Sequence, residues 1–83
     1  MKLVFPGKFA DLAGHDFDTL VRPPQVRTLA DLLAWLGAAR PALGAALAAS
    51  GAKAVINFSV VHDMQHTVGD DDEIAFLPPM SGG

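Results

Sequence analysis

A chain of 83 residues is long enough for one hydrophobic core and too short for two, so we expect a single domain. Its hydrophobic fraction of 51% exceeds that of disordered chains, and the absence of cysteine excludes a disulfide framework, a thiolate metal site and a cysteine nucleophile. The net charge of −3 is unevenly distributed, because residues 1–42 carry five basic and four acidic side chains, whereas residues 43–83 carry one basic and five acidic. No basic footprint for nucleic acid is present.

The sequence also lacks the usual signals for membranes and export. No apolar run approaches the roughly 18 residues that a membrane span requires. Residues 1–6 are too short an apolar segment, and too broken by proline, for a signal peptide. We therefore expect a cytoplasmic protein that contacts neither membrane nor nucleic acid.

The first third of the chain predicts two strands that pair as a hairpin-like unit. Lys2–Phe5 is short and rich in β-branched and aromatic residues, and Pro6-Gly7 ends it because proline cannot donate to a sheet ladder. Before a turn at residues 14–16, three apolar residues are expected to face one way: Phe9, Leu12 and Ala13. Apolar residues also indicate the second strand, ahead of Pro23-Pro24: Phe17, Leu20 and Val21.

The clearest local signal is a helix. Four leucines fall at the i, i+3, i+4 and i+7 spacing of one helix face: Leu29, Leu32, Leu33 and Leu36. Thr28 is a good N-cap, and Asp31 gives an acidic variant of the capping box near the positive end of the helix dipole. Gly37 is expected to end this helix.

A second, shorter helix is expected to follow. Pro41 suits its first turn and Gly51 suits its C-cap. The residues expected to face the core are Leu43, Ala46 and Leu47. The alanines between them favour helix and permit close approach of neighbouring elements.

The last third predicts strands separated by turns. Ala54–Ile56 and Val60-Val61 indicate two strands, or one bent strand, around residues 57–59. The acidic segment Gly69–Asp72 is expected to be a turn, and Glu73–Leu77 the last strand. Together these elements predict an α+β domain, with one main helix and a short second helix packed on one face of a mixed sheet.

The C-terminal segment is where the sequence predicts chemistry. Pro78 and Pro79 stiffen the exit from the last strand and donate no ladder hydrogen bonds. The Gly82-Gly83 pair has no Cβ atoms, so its backbone can enter a narrow channel. We expect a domain over residues 1–77 and a flexible tail over 78–83 that offers the Gly83 carboxylate to another protein for activation. A frayed chain end without function is the competing interpretation.

In its ending this chain resembles the small, sulfur-carrying subunit of molybdopterin synthase, a ubiquitin-like β-grasp sulfur carrier. That family ends in Asp-Glu, Val or Ile, Ala, two Phe or Leu residues, Pro-Pro-Val, a Ser, Thr or Ala, and Gly-Gly. Residues 72–83 read DEIAFLPPMSGG, with Met80 at the usual valine. Residues 2–5, 9–14 and 55–57 are also similar to the family, so the resemblance spans the chain.

The resemblance implies a β-grasp fold and a cycle of sulfur transfer. An adenylyltransferase of the ubiquitin-activating type would use ATP to adenylate Gly83, and a cysteine desulfurase or rhodanese would supply sulfur to form a thiocarboxylate. The tail, with Gly82 before the reacting carbonyl, would enter the large catalytic subunit of a heterotetrameric synthase and donate sulfur to a cyclic pterin phosphate. The carrier itself would bind no cofactor or metal and would not be an enzyme alone.

A docking surface for these partners is predicted at the base of the tail, on six consecutive residues: Phe76, Leu77, Pro78, Pro79, Met80 and Ser81. In a strand, neighbouring side chains point to opposite faces. One of Phe76 and Leu77 therefore faces the helix and the other faces outward, and the sequence leaves open which does so.

Three alternatives remain at this stage. One is a sulfur carrier of the same type for thiamine thiazole, cysteine or tRNA thiolation, and another is a tag that modifies lysines of other proteins through Gly83. The third is a metal protein that uses His62, Asp63 and His66, since two of these would share a helix face. We instead expect residues 62–66 to form an exposed loop, because they connect a strand to an acidic turn.

Overall fold

The computed structural model describes residues 1–15, 17–49 and 51–78. Within these ranges the chain forms helices and strands in the following order: β1 (Lys2–Val4), α1 (Lys8–Ala13), β2 (Phe17–Thr19), α2 (Leu29–Ala39), α3 (Pro41–Ala49), β3 (Lys53–Ile56), β4 (Ser59–Val61) and β5 (Glu73–Leu77). No helix among the described residues is both long and apolar enough to cross a bilayer.

The strands form one sheet in the order β2-β1-β5-β3-β4. Strands β1 and β5 are parallel, and the other neighbours are antiparallel. Helix α2 buries Leu29, Leu32 and Leu36 in the core, where they join the inward side chains of the sheet such as Leu3 and Ile74. A mixed sheet with helices on one face is the ubiquitin-like β-grasp arrangement, so the expected fold class is confirmed.

The segment after β1 forms a helix, α1, which the sequence did not predict. Phe9 and Ala13, four residues apart, are fully buried on one side of this helix, whereas Leu12 is 39% exposed. The expectation that Leu12 shares their face is therefore wrong. Gly14 ends α1 with a φ of 86°, a left-handed conformation that glycine adopts at little cost. Six residues are too few for a helical period to stand out from a turn.

Strand β2 is shorter than the apolar residues suggested. It ends at Thr19, which pairs with Lys2, the first residue of β1. The Leu20 backbone nitrogen still donates to the carbonyl of Met1 (3.0 Å). Because β1 begins at Lys2, it has no residues left to pair with those that follow Leu20. Leu20 and Val21 therefore lie beyond the strand, and their assignment to it is wrong. Val21 is 90% exposed.

The start of α2 is as predicted. The Asp31 backbone nitrogen donates to Thr28 Oγ1 (3.2 Å), and the Thr28 backbone nitrogen donates to Asp31 Oδ2 (3.1 Å), which completes a capping box. The Arg27 backbone nitrogen also donates to Asp31 Oδ2 (3.1 Å). These backbone N–H groups, of Arg27 and then of Thr28, hold the pKa of the Asp31 carboxyl below its usual value, because they favour the charged form.

Gly37 does not end α2, contrary to the sequence expectation. The helix continues to Ala39, and Arg40, which precedes Pro41, leaves the helical conformation with a φ of −138°. Gly37 instead lies against Gly44 of α3, so closely that a Cβ on Gly44 would collide with the Gly37 Cα. The two glycines therefore serve the contact between α2 and α3. As expected, α3 buries Leu43 and Leu47.

The region between α3 and β5 contains two strands and not one bent strand. Strands β3 and β4 form an antiparallel hairpin in which Ile56 pairs with Ser59. The two connecting residues, Asn57 and Phe58, have φ values of 50° and 71°, as the favoured two-residue hairpin turns require. The acidic segment before β5 is a turn, as predicted, in which the Gly69 backbone nitrogen donates to Asp72 Oδ2 (2.7 Å).

The contact between α2 and α3 predicts opposite effects for two glycine substitutions. Gly44→Ala should lower the free energy of unfolding, since overpacking of this kind costs about 1–3 kcal/mol. Gly37→Ala should leave stability unchanged or raise it by up to about 1 kcal/mol, because alanine favours helix. The Cβ added at Gly37 would lie 3.9 Å from the Gly44 Cα, an ordinary contact. Urea denaturation of both variants measures the difference, and equal effects would contradict the proposed contact.

The capping box predicts a pH dependence. Because the pKa of Asp31 is lowered in the folded state, its stabilising effect should be fully present above the unfolded value of about 4 and should be lost as the pH falls through the folded pKa. Unfolding midpoints of wild type and Asp31→Asn, measured between pH 7 and pH 2, should therefore converge below about pH 4. A stability difference that stays constant over this range would contradict the assignment.

Candidate functional site: the end of the last strand and the open face of the sheet

Strand β5 carries the chain from the core of the domain to the base of the tail. It lies between β1 and β3, and it pairs with β1 from Glu73 to Ala75 and with β3 from Ile74 to Leu77. Its residues alternate between the two faces of the sheet, as a strand requires. The last pair, Lys53 with Leu77, therefore marks where the chain leaves the sheet.

The structure shows which of Phe76 and Leu77 faces outward. Phe76 is 2% exposed, and its ring stacks on that of Phe5 with 6.0 Å between centroids and an interplanar angle of 14°. Leu77 is 40% exposed. The predicted partner contact through the Phe76 side chain is therefore wrong, because that side chain is part of the core. Leu77 is the one of the two that a partner can touch.

Pro78 follows Leu77 outside the strand and is half-buried. The remaining predicted tail residues lie outside the described part of the chain: Pro79, Met80, Ser81, Gly82 and Gly83. The predictions about a flexible tail, about docking through these residues and about chemistry at Gly83 therefore stay predictions.

The face of the sheet opposite the helices carries a row of apolar side chains that crosses four strands. Val4 pairs with Ala75, Ala75 with Val55, and Val55 with Val60. The first three are half-buried, whereas Val60 is 52% exposed on the edge strand. With Leu77, these residues form what we call the open face, an apolar surface that ends where the tail begins.

Sequence reasoning predicted only the Leu77 part of this surface. Val55 and Val60 were recognised as strand residues, but their position on the open face depends on the pairing between strands. The alternation of buried Ala54 and Ile56 with half-buried Val55 was a usable signal, since a two-residue period separates the two faces. A shift of the strand register by one residue would have placed Val55 on the buried face and its neighbours on the open face.

Charged groups surround the apolar row. Lys53 is exposed beside Leu77 in the strand register, and Lys2 Nζ lies 3.7 Å from Glu73 Oε1. At the end of the sheet where β5 begins, Asp70 accepts a hydrogen bond from Arg22 Nε (2.9 Å). The surface therefore combines an apolar centre with a charged margin, which is the usual composition of a protein-binding surface.

The alternative metal site receives no support from the described geometry. Residues 62–66 form an exposed loop, as expected, and the Asp63 carboxylate accepts a hydrogen bond from the Gln65 backbone nitrogen (2.9 Å). Across the described residues, no group of three or more acidic or histidine side chains is placed to hold a metal ion.

The different positions of Phe76 and Leu77 predict different mutational effects. Phe76→Ala should lower the free energy of unfolding by about 3–5 kcal/mol, because it leaves a cavity beside Phe5. Leu77→Ala should cost less than about 1 kcal/mol, since Leu77 is already 40% exposed and lies outside the core. Chemical denaturation of the two variants measures these values. A Leu77→Ala cost as large as that of Phe76→Ala would contradict the assignment of Leu77 to the surface.

Solved structures provide close fold matches. SAMP1, a small archaeal modifier protein of Haloferax volcanii, is 25% identical with a TM-score of 0.79, over 100% of this chain and 98% of that chain. The HVO 2177 protein of the same organism is 26% identical with a TM-score of 0.78, over 99% of this chain and 84% of that chain. A candidate molybdopterin converting factor, subunit 1, from Pyrococcus furiosus is 20% identical with a TM-score of 0.77, over 95% of both chains, and shows the fold alone.

No curated protein matches the sequence. A family model does match it, over residues 3–83, and its description is the ThiS family. That range contains all of the sheet except Lys2, the first residue of β1, and extends through the Gly-Gly pair at residues 82 and 83. Because the match covers all but two residues of the chain, this protein belongs to the ThiS family of ubiquitin-like sulfur carriers.

Proposed function

We propose that this protein carries sulfur on the carboxyl group of Gly83 and donates it in the synthesis of molybdopterin. The observation that carries the proposal is the family match, which extends through residues 82 and 83. The tail sequence supports the finer assignment, because Phe76-Leu77-Pro78-Pro79 followed by Met-Ser-Gly-Gly is similar to the ending of the small molybdopterin synthase subunit. The fold likeness to a candidate molybdopterin converting factor subunit is compatible with it.

The chemistry requires little from the carrier except a free carboxylate. An activating enzyme transfers AMP from ATP to the Gly83 carboxylate and releases pyrophosphate, which gives the carbonyl a good leaving group. A persulfide on a sulfur donor, such as a cysteine desulfurase or rhodanese, then attacks this carbonyl and displaces AMP, which forms an acyl disulfide. A second thiol of the partner proteins attacks the donor's own sulfur, forms a disulfide with it and releases the thiocarboxylate. The large synthase subunit receives the tail, and binding makes sulfur attack on the cyclic pterin phosphate effectively unimolecular.

The two glycines give this tail access to an enclosed active site. Without a Cβ, Gly82 and Gly83 present only backbone to the walls of a channel. The five residues after Pro78 can span at most about 17 Å when fully extended. The acid and base groups for each step would then come from the partner enzyme, and the carrier alone would not be an enzyme.

The open face supports the proposal through recognition. Leu77 and Val60 are exposed apolar side chains on the same side of the sheet as Val55. A partner that encloses the tail must approach the domain where β5 ends, and there it meets Leu77. Burial of such side chains would stabilise the complex while the tail occupies the active site.

A second candidate function is that of a protein-modifying tag, in which Gly83 forms an isopeptide bond with a lysine. The similarity to SAMP1, whose name is that of a modifier protein, favours this candidate. Both functions begin with adenylation of the same carboxylate, so the distinction lies in the acceptor. Carriers for thiazole, cysteine or tRNA thiolation share the same first steps.

Intact-mass measurement of the protein isolated from its own cells tests the proposal. A fraction of the molecules should carry sulfur in place of one oxygen at Gly83, since the thiocarboxylate is the form that leaves the activating enzyme. Deletion of Gly83, or addition of one residue after it, should abolish sulfur loading and molybdopterin formation with the purified large subunit. The unfolding temperature should not change, because neither alteration touches the core.

Val21→Ala is a suitable control for these variants, because Val21 is 90% exposed and follows β2 at the far edge of the sheet. It should load sulfur normally. Full molybdopterin formation by the Gly83 deletion would overturn the proposal. Covalent adducts of higher mass on cellular lysines, without sulfur transfer to the pterin, would favour the modifier instead.

A further inference from the structure

The tip of the β3–β4 hairpin holds an aromatic side chain that the fold does not use. Phe58 is 88% exposed and does not belong to the hydrophobic core cluster or to the side chains packed against it. Its φ of 71° lies in the left-handed region, where a bulky side chain is strained and glycine or asparagine is the ordinary choice. Phenylalanine at this position therefore opposes folding and requires another explanation.

The turn that carries Phe58 is fixed in position by its neighbour. The Asn57 backbone nitrogen donates to the Glu73 carbonyl (2.8 Å), and the Glu73 backbone nitrogen donates to Asn57 Oδ1 (3.0 Å). Asn57 Nδ2 also donates to Asp72 Oδ1 (2.8 Å). These bonds tie the hairpin tip to the start of β5, so the Phe58 ring is presented on an anchored turn.

The same bonds place Phe58 beside acidic groups. Asp72 accepts a hydrogen bond from the residue next to Phe58, and it follows two exposed aspartates, Asp70 and Asp71. Four consecutive acidic residues, 70–73, thus lie at the end of the sheet near this turn. Asp70 is paired with Arg22 and Glu73 with Lys2, so the excess negative charge comes from residues 71 and 72. Charge complementarity favours a partner whose surface is basic at this point.

The hairpin tip also lies within reach of a protein that holds the tail. The tail begins after Leu77, which pairs with Lys53, whereas the hairpin turn begins after Ile56. Along β3, Lys53 and Ile56 are three residues apart, so the base of the tail and the start of the hairpin turn are separated by about 10 Å at 3.3 Å per residue. A standard interface covers about 800 Å² on each partner, so one protein can enclose the tail, cover the open face and reach Phe58.

We propose that Phe58 is an anchor for docking, inserted into an apolar pocket with basic side chains at its rim, on a protein that receives the tail. The inference rests on the proposed function, because that function supplies the tail-binding proteins: the activating enzyme and the large synthase subunit. The Phe58 contact would lie at one end of β3, and Leu77 of the open face lies at the other end. The buried ring compensates in the complex for the strain that it causes in the free carrier.

Calorimetric titration of the full-length carrier into each of the two purified proteins, without ATP, tests this contact. Phe58→Asn should weaken binding to at least one of them by tenfold or more, the usual effect of removing an aromatic anchor. Phe58→Leu, which keeps an apolar side chain, should retain part of the affinity. Raising the salt concentration should weaken wild-type binding, and Asp71→Asn should reduce that salt dependence.

Two further measurements separate docking from folding. Phe58→Asn should raise the unfolding temperature, since asparagine accepts a positive φ more readily than phenylalanine. Val21→Asn is the matched control, because Val21 is 90% exposed at the far edge of the sheet, and it should leave both affinities unchanged.

Wild-type affinity of Phe58→Asn for both proteins would overturn the docking role, as would a wild-type carrier that binds neither of them. The function at Gly83 is decided separately by the intact mass of the native protein. A thiocarboxylate together with unchanged binding by Phe58→Asn would therefore remove the docking role and leave the carrier function standing.

Discussion

The pairing of β5 with β1 on one side and β3 on the other is the interaction on which the rest of the structure depends. It places the last strand at the centre of the sheet, although it comes last in the chain. Ile74 and Phe76 are thereby buried under the helices, and Ala75 and Leu77 are directed to the open face. The base of the tail is consequently held by a strand that has a hydrogen-bonded neighbour on each side.

The described helices cover one face of this sheet and leave the other face without a covering helix. Helices α2 and α3 can both pack there because Gly37 and Gly44 let their backbones approach without intervening side chains. The apolar residues of the opposite face are not all buried by the domain itself, as the exposure of Val60 shows. An apolar surface that is continuous with the base of the tail suits a protein that works by being recognised.

A carrier of this kind separates recognition from chemistry. The domain supplies a surface of defined shape, and the proposed reactive group lies beyond the last described residue, Pro78. No described side chain needs to act as an acid or a base in the proposed cycle. The features of the domain that bear on function are therefore its exposed groups: the open face, the acidic turn and the strained Phe58.

Local signals in the sequence determined the helix from Leu29, its capping box at Thr28 and the last strand. Each of these depends on residues that lie close together in the sequence. The whole ending over residues 72–83, together with similar segments earlier in the chain, likewise indicated the family. Only the tertiary structure decided the role of Gly37 and the burial of Phe76 in place of Leu77. Gly37 depends on how the next helix packs against it, and Phe76 depends on strand pairing and on Phe5, which is distant in sequence. No local pattern specifies either of these contacts.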